Sequence, residues 1–130
     1  MEIQNEDKEI KHFTELSVWQ KSHRLFINLS GDFKSLEGRK GIYFLVDQIF
    51  RSSGSISANI AEGFNSHSTK EYIRYLDIAK RTAAETENWL YKIKDLEILG
   101  EDICETRLNS CGEISRMIRG LITSLQNKVK

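Results

Sequence analysis

The chain is 130 residues long and carries 19 basic against 19 acidic residues, a formal net charge of zero with His neutral. No global field therefore draws it to nucleic acid or membrane, and any such affinity must come from a local patch. The composition contains no proline, which removes the strongest helix breaker, and folding at this length buries roughly two thirds of the unfolded surface, enough for one domain with its own core. The opening MEIQNEDKEIKH has no apolar run of the kind a signal peptide needs, and no later segment approaches the ~20 apolar residues that span a bilayer. The expected location is the cytoplasm.

Residues 1–12 read as a frayed segment ahead of a single domain over 13–130. Val18, Ser22, Leu25, Leu29 and Leu36, with Trp19, Phe26 and Phe33, recur at steps of three and four and predict a first helix over 17–36. Gly38 and Gly41 fall in the connection that follows. A second helix is expected over 41–62, with the seam Ile42, Leu45, Ile49, Ser52, Ile56, Asn59, and a third over 68–99, with Tyr72, Leu76, Ala79, Ala83, Thr86, Leu90 and Ile93. The fourth, over 102–128, has the seam Cys104, Leu108, Cys111, Ser115, Ile118, Ile122, Leu125, Val129. Ser17 before Gln20, Ser68 before Glu71 and Asp102 before Glu105 fit the capping box. Gly63 and Gly100 stand where left-handed end residues are expected. Connections this short force sequential helices to run antiparallel. The fold class is all-α, an antiparallel up-down-up-down four-helix bundle, in which helices 1 and 3 begin, and helices 2 and 4 finish, at one end of the rod, the Gly63 end.

The stretch RSSGSISANIAEG, residues 51–63, is small and polar inside the second seam. A phosphate cradle needs a lysine after its glycines, and GSISAN has none. The expectation is a helix whose Ser52, Ser53, Gly54, Ser55, Ser57, Ala58 and Ala61 let the third helix, through Ala79, Thr82, Ala83 and Ala84, come close. Gly54 costs roughly 1 kcal/mol against Ala in a helix interior, which close packing would return. Asn59 and Glu62 share a face one turn apart, and Glu62 sits where the helix dipole disfavours an anion. A structural lock made of Trp19, Ser55, Asn59, Glu62 and Gly63 is expected, with the start of the first helix (Trp19, Gln20 or the backbone near Ser17) as Glu62's partner.

FTELSVWQKSHRL near the start, DQIFRSSGSISANIAEGFNSHSTKEYIRYLDIAK in the middle and ISRMIRGLITSL at the end resemble the 23S rRNA intervening-sequence protein family, also called the four-helix bundle protein family. The most specific element runs from Gln48 to Gly63, where Ser55, Asn59, Ile60, Ala61, Glu62 and Gly63 match the family's signature; Arg51 matches a basic position and Phe50 departs from one. The resemblance implies an antiparallel four-helix bundle assembled into a homopentameric ring, without established enzymatic activity. It also implies similarity to the accessory bundle of diversity-generating retroelements, which binds nucleic acid and a reverse transcriptase.

No constellation for catalysis emerges. Di-iron bundles use Glu-x-x-His on two helices, and the single instance, Glu9 to His12, lies in the segment expected to fray. Glu85 and Glu87 fall on different faces of one helix, and His23 and His67 lack a nucleophile partner. Cys104 and Cys111 stand about 10 Å apart along one helix face, too far for a disulfide, and read as small core residues. No metal and no cofactor are expected. A second apolar stripe on the third helix, Tyr75, Ile78, Thr82, Trp89 and Leu96, exceeds what one core buries and suggests a surface between subunits. Lys21, Lys70, Arg74, Arg116, Arg119, Lys128 and Lys130 collect at the Gly63 end, a candidate contact for structured RNA.

Overall fold

The computed structural model describes residues 9–36 and 38–128. A 3₁₀ turn, Phe13–Glu15, leads into four helices: α1 Ser17–Lys34, α2 Tyr43–Phe64, α3 Thr69–Asp95 and α4 Glu101–Lys128. Each helix packs on its neighbour in sequence, and α1 closes on α4, so the section is a square of antiparallel helices. Residues 1–8 of the segment expected to fray lie outside the described residues. Within it, Ile10 packs against the core, and the His12 ring and the Glu15 carboxylate form a capping box on the 3₁₀ turn.

Apolar periodicity sets the buried faces. In α3 every expected core position except Tyr72, which is half-buried, is fully buried. In α4 the seam follows Cys104, Leu108 and Cys111 and then moves to Ile114, Ile118 and Leu121, one residue earlier than the expected Ser115 and Ile122. At this turn the apolar Ile114 takes the inner position from its polar neighbour Ser115. α2 shifts the other way, with the later residues Ile60 and Gly63 replacing Asn59 on the inner face, the direction in which a helix of 3.6 residues per turn drifts against a seven-residue repeat.

The ends differ more from expectation than the middles. α3 stops at Asp95 because Glu97 adopts φ 56°, and the amides of Glu97 and Ile98 donate to the carbonyls of Lys94 and Ile93 at 3.0 Å each. This is a Schellman closure with glutamate in the left-handed position. Gly63 and Gly100 do not adopt positive φ; the glycines that do are Gly38 and Gly41, which turn the chain between α1 and α2. Ser68 caps α3 by accepting the Glu71 N–H at 3.1 Å, but Glu71 turns to Arg74 instead of reaching back. α1 is preceded by Leu16, not capped by Ser17, and Gln20 donates to the Thr14 carbonyl at 2.8 Å. α4 begins at Glu101, which places Asp102 inside its first turn and not at the cap, and Glu105 pairs with Lys94 across the α3–α4 corner.

Two polar links cross the core faces. Thr86 Oγ1 lies 3.0 Å from Ser52 Oγ, both buried, between α3 and α2. Asp32 and Arg107 join α1 to α4 in a bidentate pair, Nε to Oδ2 at 2.6 Å and Nη2 to Oδ1 at 2.9 Å, with side chains only 10% and 17% exposed.

Candidate functional site

The small-residue stretch lies wholly within α2 and does two separate jobs. At Gly63 a Cβ would stand 2.9 Å from Tyr75 Cβ, 3.0 Å from Tyr72 Cδ1 and 3.3 Å from the Tyr72 carbonyl, so α3 crosses α2 against bare backbone. Gly54 faces the other neighbour: its Cβ would meet Phe26 of α1 at 3.4 Å, an ordinary contact and not the α3 approach expected. Ala58 is exposed. The serines satisfy themselves locally, Ser52, Ser53 and Ser57 donating to carbonyls one turn back.

The geometry of the expected lock is local rather than between helices. Asn59 Nδ2 donates to the Ser55 carbonyl at 2.8 Å. Glu62 is exposed and takes part in no ion pair among the described residues. It lines a shallow cleft at the α2–α3 connection with Asn65, Ser66, His67, Glu71 and Tyr75. Trp19 instead stacks on His23, centroids 4.7 Å apart, and tilts against Phe13 at 5.5 Å. Of the five, Gly63 is where two helices meet at bare backbone, and Trp19 packs against the core from α1.

The basic residues separate into neutralised and open ones. Lys21 is bound to Glu113 across the α1–α4 corner. Arg74 pairs with Glu71 at 2.9 Å and lies over the Tyr75 ring, and this partner holds the Glu71 carboxyl below its ordinary range. Lys70, Arg116, Arg119 and Lys128 are exposed and outside every ion pair of the described residues. Lys130 lies outside the described residues.

Of the α3 stripe, Tyr75, Ile78 and Trp89 are half-buried within their own chain and Leu96 is 61% exposed. Phe44 of α2 packs edge-on against Trp89 at 5.8 Å, and the Trp89 indole Nε1 is buried without a hydrogen-bond partner. Among the described residues the most exposed large apolar side chains, Tyr43 at 62% and Phe44 at 65%, are ones the periodicity passes over. They fall one and two residues after the seam position Ile42, which is the signal that would have placed them outside the core. Beside Tyr43 a furrow of about 190 Å³ runs between α1 and α2, lined by Ser30, Phe33, Lys34, Val46 and Phe50 among others.

Both cysteines are free and buried. Burial pushes the Cys111 thiol up to about 12 and raises Cys104 as well, so neither offers a thiolate near neutral pH. Among the described residues no three His, Cys, Asp or Glu side chains gather where they could hold a metal ion. No described helix is long and apolar enough to cross a membrane.

Among curated proteins none matches this chain. A crystal structure of a protein of unknown function from Bacteroides thetaiotaomicron VPI-5482, of the S23 ribosomal protein family, is 30% identical and superposes with a TM-score of 0.76. The match covers 82% of this chain and 95% of that one. The family model described as 23S rRNA-intervening sequence protein matches residues 14–120, a span from the 3₁₀ turn nearly to the end of α4. With that span and that bundle, the chain belongs to the 23S rRNA-intervening sequence protein family.

Proposed function

We propose that this chain is a non-enzymatic cytoplasmic scaffold that assembles with itself, five copies to a ring, and holds structured RNA against its basic end. Membership in a family described by 23S rRNA carries the reading. The four open cations Lys70, Arg116, Arg119 and Lys128 support it, because unpaired side chains release counterions on phosphate contact without first breaking an ion pair. A ring multiplies a few contacts per subunit into useful avidity.

The test is retention of structured RNA at low salt. Reversal of Lys70, Arg116, Arg119 and Lys128 to Glu is expected to abolish retention and to flatten a salt dependence of roughly 0.9 log units per contacted duplex phosphate, while reversal of Arg39 and Lys40 at the opposite end leaves both intact. Equal retention by the two variants refutes the basic end. No retention by the wild type favours a second reading, a protein–protein module without nucleic acid, to which the neutralised Lys21 and Arg74 already lean.

A further inference from the structure

Two apolar faces of this bundle are left open, and they share α2. The first is the α1–α2 furrow, floored by Phe33, Val46 and Phe50 and edged by Tyr43, 62% exposed. The second is a ridge on the α2–α3 face, where Phe44 crosses Trp89 and Leu96, the C-cap residue of α3, stands seven positions beyond Trp89. Among the described residues Tyr43, Phe44 and Leu96 stay exposed on these faces, with Lys92 lying over the Trp89 ring, and contiguous exposed apolar surface of this kind marks an interaction site.

Charge names the occupant. Lys34 stands on the furrow wall, and Asp95 and Glu97 flank Leu96 on the ridge. All three are exposed, and none joins an ion pair among the described residues. α1 and α3 both finish at the end of the bundle opposite Gly63, so furrow cation and ridge anions lie at the same height along the rod. Two copies standing side by side in parallel therefore bring opposite charges together, whereas antiparallel copies do not. We propose that the Phe44–Trp89–Leu96 ridge of one copy seats in the α1–α2 furrow of a second copy of the same chain, with Lys34 facing the acids beside Leu96. This rests on the self-assembly proposed above and adds the two faces that make it.

The contact joins different faces and so repeats from copy to copy. Because adjacent faces of a square bundle meet at about a right angle, the repeat turns sharply and closes at roughly four or five copies, with α2 toward the axis. The exposed Ala58 then lies on the lining of the ring, where a small side chain crowds nothing.

Light scattering on the full chain at micromolar concentration reads the assembly. Leu96→Asp spoils the ridge and Tyr43→Asp spoils the furrow; both positions are exposed, and circular dichroism checks that the helices persist. Each variant alone is expected to have the mass of a single chain. Mixed in equal amounts, one variant's intact ridge meets the other's intact furrow, and the mixture forms pairs. Wild-type mass in either variant, or no pairing on mixing, overturns the assignment of faces while leaving self-assembly in place. A monomeric wild type overturns both.

Discussion

Gly63 is the residue on which the α2–α3 crossing depends, and its replacement sets two effects against each other. Alanine raises helix propensity by about 1 kcal/mol over glycine, but its methyl would sit 2.9 Å from Tyr75 Cβ and close to the Tyr72 backbone, which cannot swing aside. Overpacking of that kind costs about 1 to 3 kcal/mol, so Gly63→Ala is expected to lower the urea midpoint. Glu97 offers the opposite experiment. Its left-handed backbone costs a side-chain-bearing residue about 1 kcal/mol, and Glu97→Gly is expected to raise the midpoint by up to that amount. Cys111 gives the fold an alkaline limit. In the unfolded chain its thiol ionises near 9, in the fold near 12; below pH 9 both states hold the proton, and above it only the native state does. Stability from this thiol is therefore full below pH 9 and falls as pH rises toward 12, a decline that Cys111→Ala should remove from the pH profile of urea unfolding.

Between elements, the α1–α4 corner is held by charge where α2–α3 is held by close approach. The Arg107 guanidinium is raised further by its bond to Asp32, so its protonated state and its share of stability are constant across the neutral range. Asp32→Ala leaves a largely buried cation alone and is expected to cost about 3 kcal/mol, whereas Asp32→Leu with Arg107→Met should cost much less than either single change. A double-mutant cycle by urea unfolding measures the difference. Helix interiors were legible from sequence because burial repeats every three or four residues, as Leu76 through Ile93 show. Ends were less so, because they turn on single backbone conformations: Glu97 carries no sign in its side chain that it will adopt positive φ, and Glu71 had two partners to choose from. The seam in α4 slipped at Ser115 because a residue-type pattern fixes a stripe only to within one neighbour.

At the scale of the whole molecule, the family and bundle could be read before any coordinates, while the site could not be read in full. Lys21 and Arg74 looked like open cations until Glu113 and Glu71 came beside them, one from a helix 92 residues away in sequence. Tyr43 and Phe44 looked like ordinary helix-start residues until the square packing left them outside. A different kind of information lies in the sequence distances of the two main links. Ser52 and Thr86 are 34 residues apart, Asp32 and Arg107 are 75, and closing the longer loop costs more chain entropy before any contact rewards it. The α2–α3 hairpin is thus expected to form first and the first and last helices to dock on it late. In a chevron experiment Gly63→Ala should slow refolding, while Asp32→Ala should leave the refolding rate nearly unchanged and speed unfolding. The largely buried Asp32–Arg107 pair between the two outer helices then acts as a latch on the finished bundle: it does not hasten assembly of the fold, and it sets how long the fold lasts.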